Sequence, residues 1–149
     1  MIPIKNRKKT LEVTVEEMRN LSFSYLEKFS PSKQQLKTYL LKKYLKYSNP
    51  KNKKQDIIHL IDIVLLDLEK TKFISDKFYS ESKAKNLIQK GSSINKIRNY
   101  LISKGISNKY VKETINQINE MIEYAHSQKL IVNVGHGLNF KNIKFVKKR

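Results

Sequence analysis

Five times along the chain a Ser or Thr stands directly before a segment whose apolar residues recur every three or four positions, a pattern that specifies helices. Thr14 with Glu17, and Ser32 with Gln35, have the form of a capping box, in which each side chain satisfies a backbone N–H at the helix start. After Thr14, the residues Val15, Met18, Ser22, Tyr25 and Phe29 follow at helical spacing until Ser30-Pro31-Ser32 breaks the run. After Ser32, Leu36, Tyr39, Leu40 and Tyr44 share one face. Ser48 to Lys54 is a polar, basic loop. Ile57, Ile61, Val64, Leu65 and Leu68 then predict a third helix, apolar over a wide face and central to the core.

Ser75 or Asp76 caps a fourth helix that carries Phe78, Tyr79 and Leu87 and ends at Gly91, where a left-handed backbone can close it. Ser93 opens a fifth with Ile94, Ile97, Tyr100 and Leu101, stopped by Lys104-Gly105. Ser107 opens a sixth with Val111, Ile115, Ile118 and Ile122. After about His126 the helical period fades. Val132 to Phe140 alternates apolar and polar residues around two glycines, which leaves a short hairpin and a loose tail equally open. With only four Gly and three Pro, the chain suits helices joined by short turns, and the expected fold class is all-α.

The six helices repeat. A shift of 61 places Leu26 on Leu87, Leu36 on Ile97, Tyr39 on Tyr100, Leu40 on Leu101 and Lys43 on Lys104. Beyond the loop a shift of 54 places Ile57 on Val111, Ile61 on Ile115, Val64 on Ile118 and Leu68 on Ile122. The expectation is a tandem of two three-helix units, elongated, with a third unit truncated. The segments are a basic and mobile N-terminal arm over 1–13, a first unit over 14–72, a second over 73–126, and a basic C-terminal tail over 127–149 as the remnant of a third.

Net charge is +18, which speaks to partners rather than to fold. Lysine-, asparagine- and isoleucine-rich usage also accompanies an A·T-rich genome, but drift alone spreads lysine evenly, and here it is blocked. Residues 5–54 are net +10, 55–82 net −3, 83–112 net +8 with no acid, 113–124 net −3 and 125–149 net +6. The acid-free block holds Lys83, Lys85, Lys90, Lys96, Arg98 and Lys104, and the matching helix of the first unit holds Lys37, Lys42 and Lys43. These nine are the candidate contacts for single- or double-stranded DNA or for an acidic filament face. The bland alternative is a solvated helix surface. Arg98 stands out because its planar fork grips phosphate or carboxylate in a fixed geometry. Of the tyrosines, most lie at core spacing, and Tyr44 and Tyr110 are the ones open to stacking on bases.

No chemistry is visible. There is no cysteine, and three separate histidines make no ligand-spaced cluster, so no metal and no cofactor are expected. Gly135-His136-Gly137 reads as a loop. Asp62, Asp67 and Glu69 share a helix without a partner base, and no phosphate-binding glycine loop or nucleophile elbow occurs. The chain is expected not to be an enzyme and to have no small-molecule substrate. With no signal-like or membrane-spanning run, it is expected to be cytoplasmic, away from membranes, and monomeric.

The order of motifs resembles the RecX family, regulators of the RecA recombinase. Its units share a Ser that opens a helix with an apolar residue four positions on, a linking helix, and an acidic turn ending in Asp two residues before a Phe. Here these are Ser32-Lys-Gln-Gln-Leu36-Lys-Thr-Tyr-Leu40 and Phe73-Ile-Ser-Asp76-Lys-Phe78. The most recognisable stretch is Gly91-Ser-Ser-Ile94-Asn-Lys-Ile97-Arg98-Asn-Tyr-Leu101-Ile-Ser-Lys104-Gly105-Ile106. The resemblance runs from Leu21 to Gln128. Ser75 stands where the family has a first acid, Lys72 where it has Gly, and lysine replaces most of its arginines. The resemblance implies modular three-helix repeats that lodge in the groove of the RecA–DNA filament, block its extension and inhibit strand exchange and co-protease activity without a cofactor. A basic stripe would be steered to such an anionic groove and would release counterions on contact. The rival expectation is a sequence-independent nucleic-acid-binding helical protein with no RecA role.

Overall fold

The computed structural model describes residues 9–128, 130–131 and 146–147. Its elements are α1 (Val15–Leu26), α2 (Lys33–Tyr47), α3 (Lys54–Lys70), α4 (Asp76–Gln89), α5 (Ile94–Ser103) and α6 (Asn108–Ser127), followed by the two-residue strands β1 (Leu130–Ile131) and β2 (Val146–Lys147). The chain is all-helical but for that antiparallel pair, in which Leu130 faces Lys147 and Ile131 faces Val146. Val132 to Phe140, where the alternation suggested a hairpin, lies outside the described residues.

Side chains hold four of the six helix starts. Thr14, Ser32, Ser75 and Ser93 each accept from the backbone N–H three residues on, an interaction typically worth about 1 kcal/mol. The box at Ser32 is complete, with Gln35 reaching back to the Ser32 N–H at 2.9 Å. The box expected at Thr14 is half formed. The Glu17 carboxylate accepts instead from the N–H of Glu12, at 2.7 Å. The reason lies in the preceding segment, where the Leu11 N–H donates to the Tyr47 carbonyl at 2.9 Å and Leu11 packs on the core. This corrects the expectation of a mobile arm over residues 9–13, which are described and docked, because Leu11 and Val13 add apolar surface to the core.

Helix α1 stops at Leu26, so Phe29, expected to extend its apolar face, stands beyond the helix and 54% exposed. Gly91 and Gly105 close α4 and α5 with φ of 78° and 76°. Lys72 takes the same left-handed role after α3, with φ of 59°, and the Phe73 N–H returns to the Leu68 carbonyl at 2.9 Å. That closure is the one glycine usually supplies.

The chain divides into two compact units, Met1–Ile74 and Ser75–Arg149. In the first, α1, α2 and α3 pack pairwise. The core is Met18, Leu36, Leu40, Tyr44, Ile57, Ile61, Val64, Leu65, Leu68 and Ile74. Helix α3 supplies half of it because its apolar residues recur at one-turn and two-turn spacing. In the second, α4, α5 and α6 pack pairwise around Tyr79, Ala84, Ile97, Leu101, Ile106, Val111, Ile115 and Ile118. Among the described residues no helix is long and apolar enough to cross a membrane.

Candidate functional site

The acidic residues of α3 are internal partners of the first unit's cations. Lys37 of α2 meets Asp62 at 2.6 Å, Lys33 meets Glu69 at 2.6 Å, and Arg19 of α1 meets Asp67. All six side chains are about one-third to one-half exposed, so each pair is worth at most about 1 kcal/mol. The carboxylates expected to lack a basic partner therefore have three, and they tie α1 and α2 to α3. Lys37, expected among the binding residues, spends its charge on Asp62.

The other candidates fall into three settings. Lys42 is exposed on α2, while Lys43, Lys83 and Lys104 lie half-buried over aromatic rings. The ammonium of Lys43 is 5.7 Å from the Tyr39 ring centre and 5.6 Å from that of Tyr47. Lys83 is 5.6 Å from Tyr79, and Lys104 is 5.3 Å from Tyr100. Such contacts stabilise by about 0.5–1 kcal/mol at exposed sites and fix where the charge stands. Lys85, Lys90, Lys96 and Arg98 are exposed on α4 and α5, with no ion pair among the described residues. The Arg98 guanidinium makes only a long contact, 3.4 Å, to the Asn95 side-chain oxygen.

The tyrosines sort differently from expectation. Tyr44 is fully buried in the first core, so it offers no face to a base. Its place one turn beyond Leu40 on the core-facing side of α2 explains this. Burial, reinforced by the Glu17 carboxylate, pushes its hydroxyl up to about 12. Among the described residues the hydroxyl has no hydrogen-bond partner. Burial also drives Tyr79 well above the usual tyrosine range, helped by the Tyr100 hydroxyl and by Asp76. Tyr110 is half-buried, with Lys109 over its ring at 5.6 Å.

The aromatic surface lies instead on α1 and α2 of the first unit. Tyr25 stacks on Tyr39 at 4.1 Å and 22°, and Phe29 adjoins Tyr25 at 4.8 Å. Next to them an open depression is lined by Tyr39, Lys42, Lys43, Leu45, Lys46 and Tyr47. A second depression, lined by Thr10, Lys46, Tyr47, Ser48, Asn49 and Pro50, shares the Lys46–Tyr47 corner. No carboxylate lines either one. Sequence reasoning passed over Lys46 and Tyr47. The signal was present as Tyr39, Lys43 and Tyr47 at one-turn intervals, but Tyr39 also fits the core spacing of Leu36 and Leu40 and was assigned there.

No cluster of three or more His, Asp or Glu side chains among the described residues could hold a metal ion. Gly135-His136-Gly137 lies outside the described residues. Searched against family models, curated proteins and solved structures, the chain matches none. The family resemblance therefore rests on the residues quoted for it.

Proposed function

We propose that the chain is a RecX-like regulator that binds the RecA–DNA filament through basic helical faces and inhibits the recombinase. The observation that carries this is the acid-free run from Lys83 to Lys112, whose Lys85, Lys90, Lys96 and Arg98 stand exposed without ion pairs among the described residues. The first unit, by contrast, neutralises three of its cations internally. Exposed cations without counter-charges attract a polyanion and release its counterions on binding.

Several features support the tandem-repeat organisation behind the resemblance. Helices α1 and α4 begin at 15 and 76, and α2 and α5 at 33 and 94, both 61 apart; α3 and α6 begin at 54 and 108, 54 apart. The caps Thr14 and Ser75, and Ser32 and Ser93, keep the same displacement and the same hydrogen bond. Leu36, Leu40, Ile97 and Leu101 are all fully buried, and Lys43 over Tyr39 has its counterpart in Lys104 over Tyr100. Lys72, at the place of the family's glycine, has the left-handed backbone glycine favours.

The test is RecA's ATPase on single-stranded DNA with this protein titrated in at fixed salt. Inhibition at concentrations well below that of RecA is the expected outcome. No effect, beside ordinary salt-sensitive DNA binding, would leave the second reading, a nucleic-acid binder without a RecA role. The aromatic and lysine surface of the first unit favours that second reading.

A further inference from the structure

We propose that the surface formed by Tyr39, Lys42, Lys43, Lys46 and Tyr47 on α2 binds a single-stranded polynucleotide by stacking bases on tyrosine and seating phosphates on lysine. This goes beyond the filament reading, from which it differs in ligand, mode and place, although Lys42 and Lys43 belong to both.

Two needs of an unpaired strand are met within one short stretch of helix. A strand offers unstacked bases and a phosphate for each nucleotide, so its general binders pair aromatic faces with a cationic track. Tyr39, Lys43 and Tyr47 follow one another at one-turn intervals along α2. At a rise of about 1.5 Å per residue they cover roughly 12 Å, the reach of about two nucleotides. The Lys43 ammonium lies between the two rings, 5.7 Å from one and 5.6 Å from the other. Lys46 stands 5.3 Å from the Tyr47 ring, and Lys42 is exposed beside them. A phosphate between two stacked bases would thus meet a cation already positioned between two rings.

The surroundings favour the same ligand. No carboxylate lines the depression or its neighbour, so nothing there repels phosphate. Leu45, half exposed in the lining, adds apolar contact for a base face rather than for a hydrated duplex backbone. Tyr39 is braced from behind by Tyr25, stacked at 4.1 Å, so its orientation is fixed before a ligand arrives. Duplex DNA presents its bases edge-on in grooves and has no free base face for these rings. The lining reads neither base edges nor the sugar, so strands of DNA and RNA should bind alike.

The experiment is fluorescence anisotropy of the full chain with labelled oligothymidylate, oligouridylate and an oligothymidylate–oligoadenylate duplex, over a salt series. The single strands should bind at least about tenfold more tightly than the duplex and within about threefold of each other. With no Trp in the chain, tyrosine fluorescence should be quenched on binding. Tyr47→Leu should weaken single-strand binding about tenfold at unchanged salt slope, while Tyr47→Phe, which keeps the ring, should bind like the wild type. Lys43→Gln should flatten the salt slope by about 0.7. Equal binding of duplex and single strand, a preference of more than tenfold for either sugar, or an effect of Tyr47→Leu below twofold would overturn the proposal. Should Tyr47→Leu not fold, Lys43→Gln decides, and an unchanged slope overturns it. No filament is present in the assay, so its failure and that of the RecA reading are separate events.

Discussion

Removing the Tyr44 hydroxyl should make the first unit more stable. The side chain is fully buried among Met18, Leu36, Leu40 and the apolar face of α3, and its oxygen has no hydrogen-bond partner among the described residues. A buried polar group without a partner costs about 1–3 kcal/mol, and deleting it leaves only a small gap. Tyr44→Phe should therefore gain about 1 kcal/mol at neutral pH by urea unfolding followed through helical circular dichroism. The alkaline limb gives a second reading. The hydroxyl is raised from its ordinary value of 10.0 to about 12, first by burial and then by Glu17. Below pH 10 both folded and unfolded chains hold the proton, and the contribution is fully present. Between pH 10 and 12 only the unfolded chain ionises, so stability falls. Two pKa steps correspond to at most about 3 kcal/mol lost over that window. Lysine titration is common to wild type and variant, so the difference between them should widen across it. Since the chain has no Trp, tyrosinate absorbance follows ionisation directly, and one late-titrating group should vanish in the variant. A loss of more than about 1 kcal/mol at neutral pH would show that the hydroxyl makes a favourable bond and would refute the reasoning.

Other consequences follow from the same geometry. Lys72→Gly should stabilise the first unit by about 0.5–1 kcal/mol in urea unfolding, because a residue with Cβ pays for the left-handed backbone at the end of α3. Leu40→Ala and Leu101→Ala each delete a fully buried side chain, and each should cost about 2–5 kcal/mol, seen as lost amide protection in the helices of its own unit. Asp62→Asn should cost less than about 1 kcal/mol, since the pair with Lys37 is part exposed. It should also tighten salt-dependent binding of single-stranded DNA, because Lys37 is released.

The helices were legible because their signals are local. Ser32 and Gln35 form their box from four consecutive residues, and Ile57 to Leu68 reveal the core face of α3 by spacing alone. The partners of Asp62, Asp67 and Glu69 were not legible, since they stand 25 to 48 residues away and depend on how α1 and α2 pack. The docking of Leu11 on Tyr47 was hidden for the same reason. At the candidate site the lysines were found by their density. Their division into ion-paired Lys37, ring-bound Lys43, Lys83 and Lys104, and exposed Lys85, Lys90, Lys96 and Arg98 depends on neighbours that only folding supplies. Tyr44 and Tyr39 exchanged roles because both fit one helical stripe, and a single turn's rotation decides which ring is covered.

The filament reading is tested most directly by reversing Lys90, Lys96 and Arg98 to Glu together and measuring RecA's ATPase on single-stranded DNA. These three are exposed, whereas Lys104 lies over Tyr100, where a carboxylate would disturb packing. The wild type should inhibit below stoichiometric amounts, and the triple variant, with its helicity unchanged, should not. A wild type without effect, or a variant that inhibits as well as the wild type, would contradict the account.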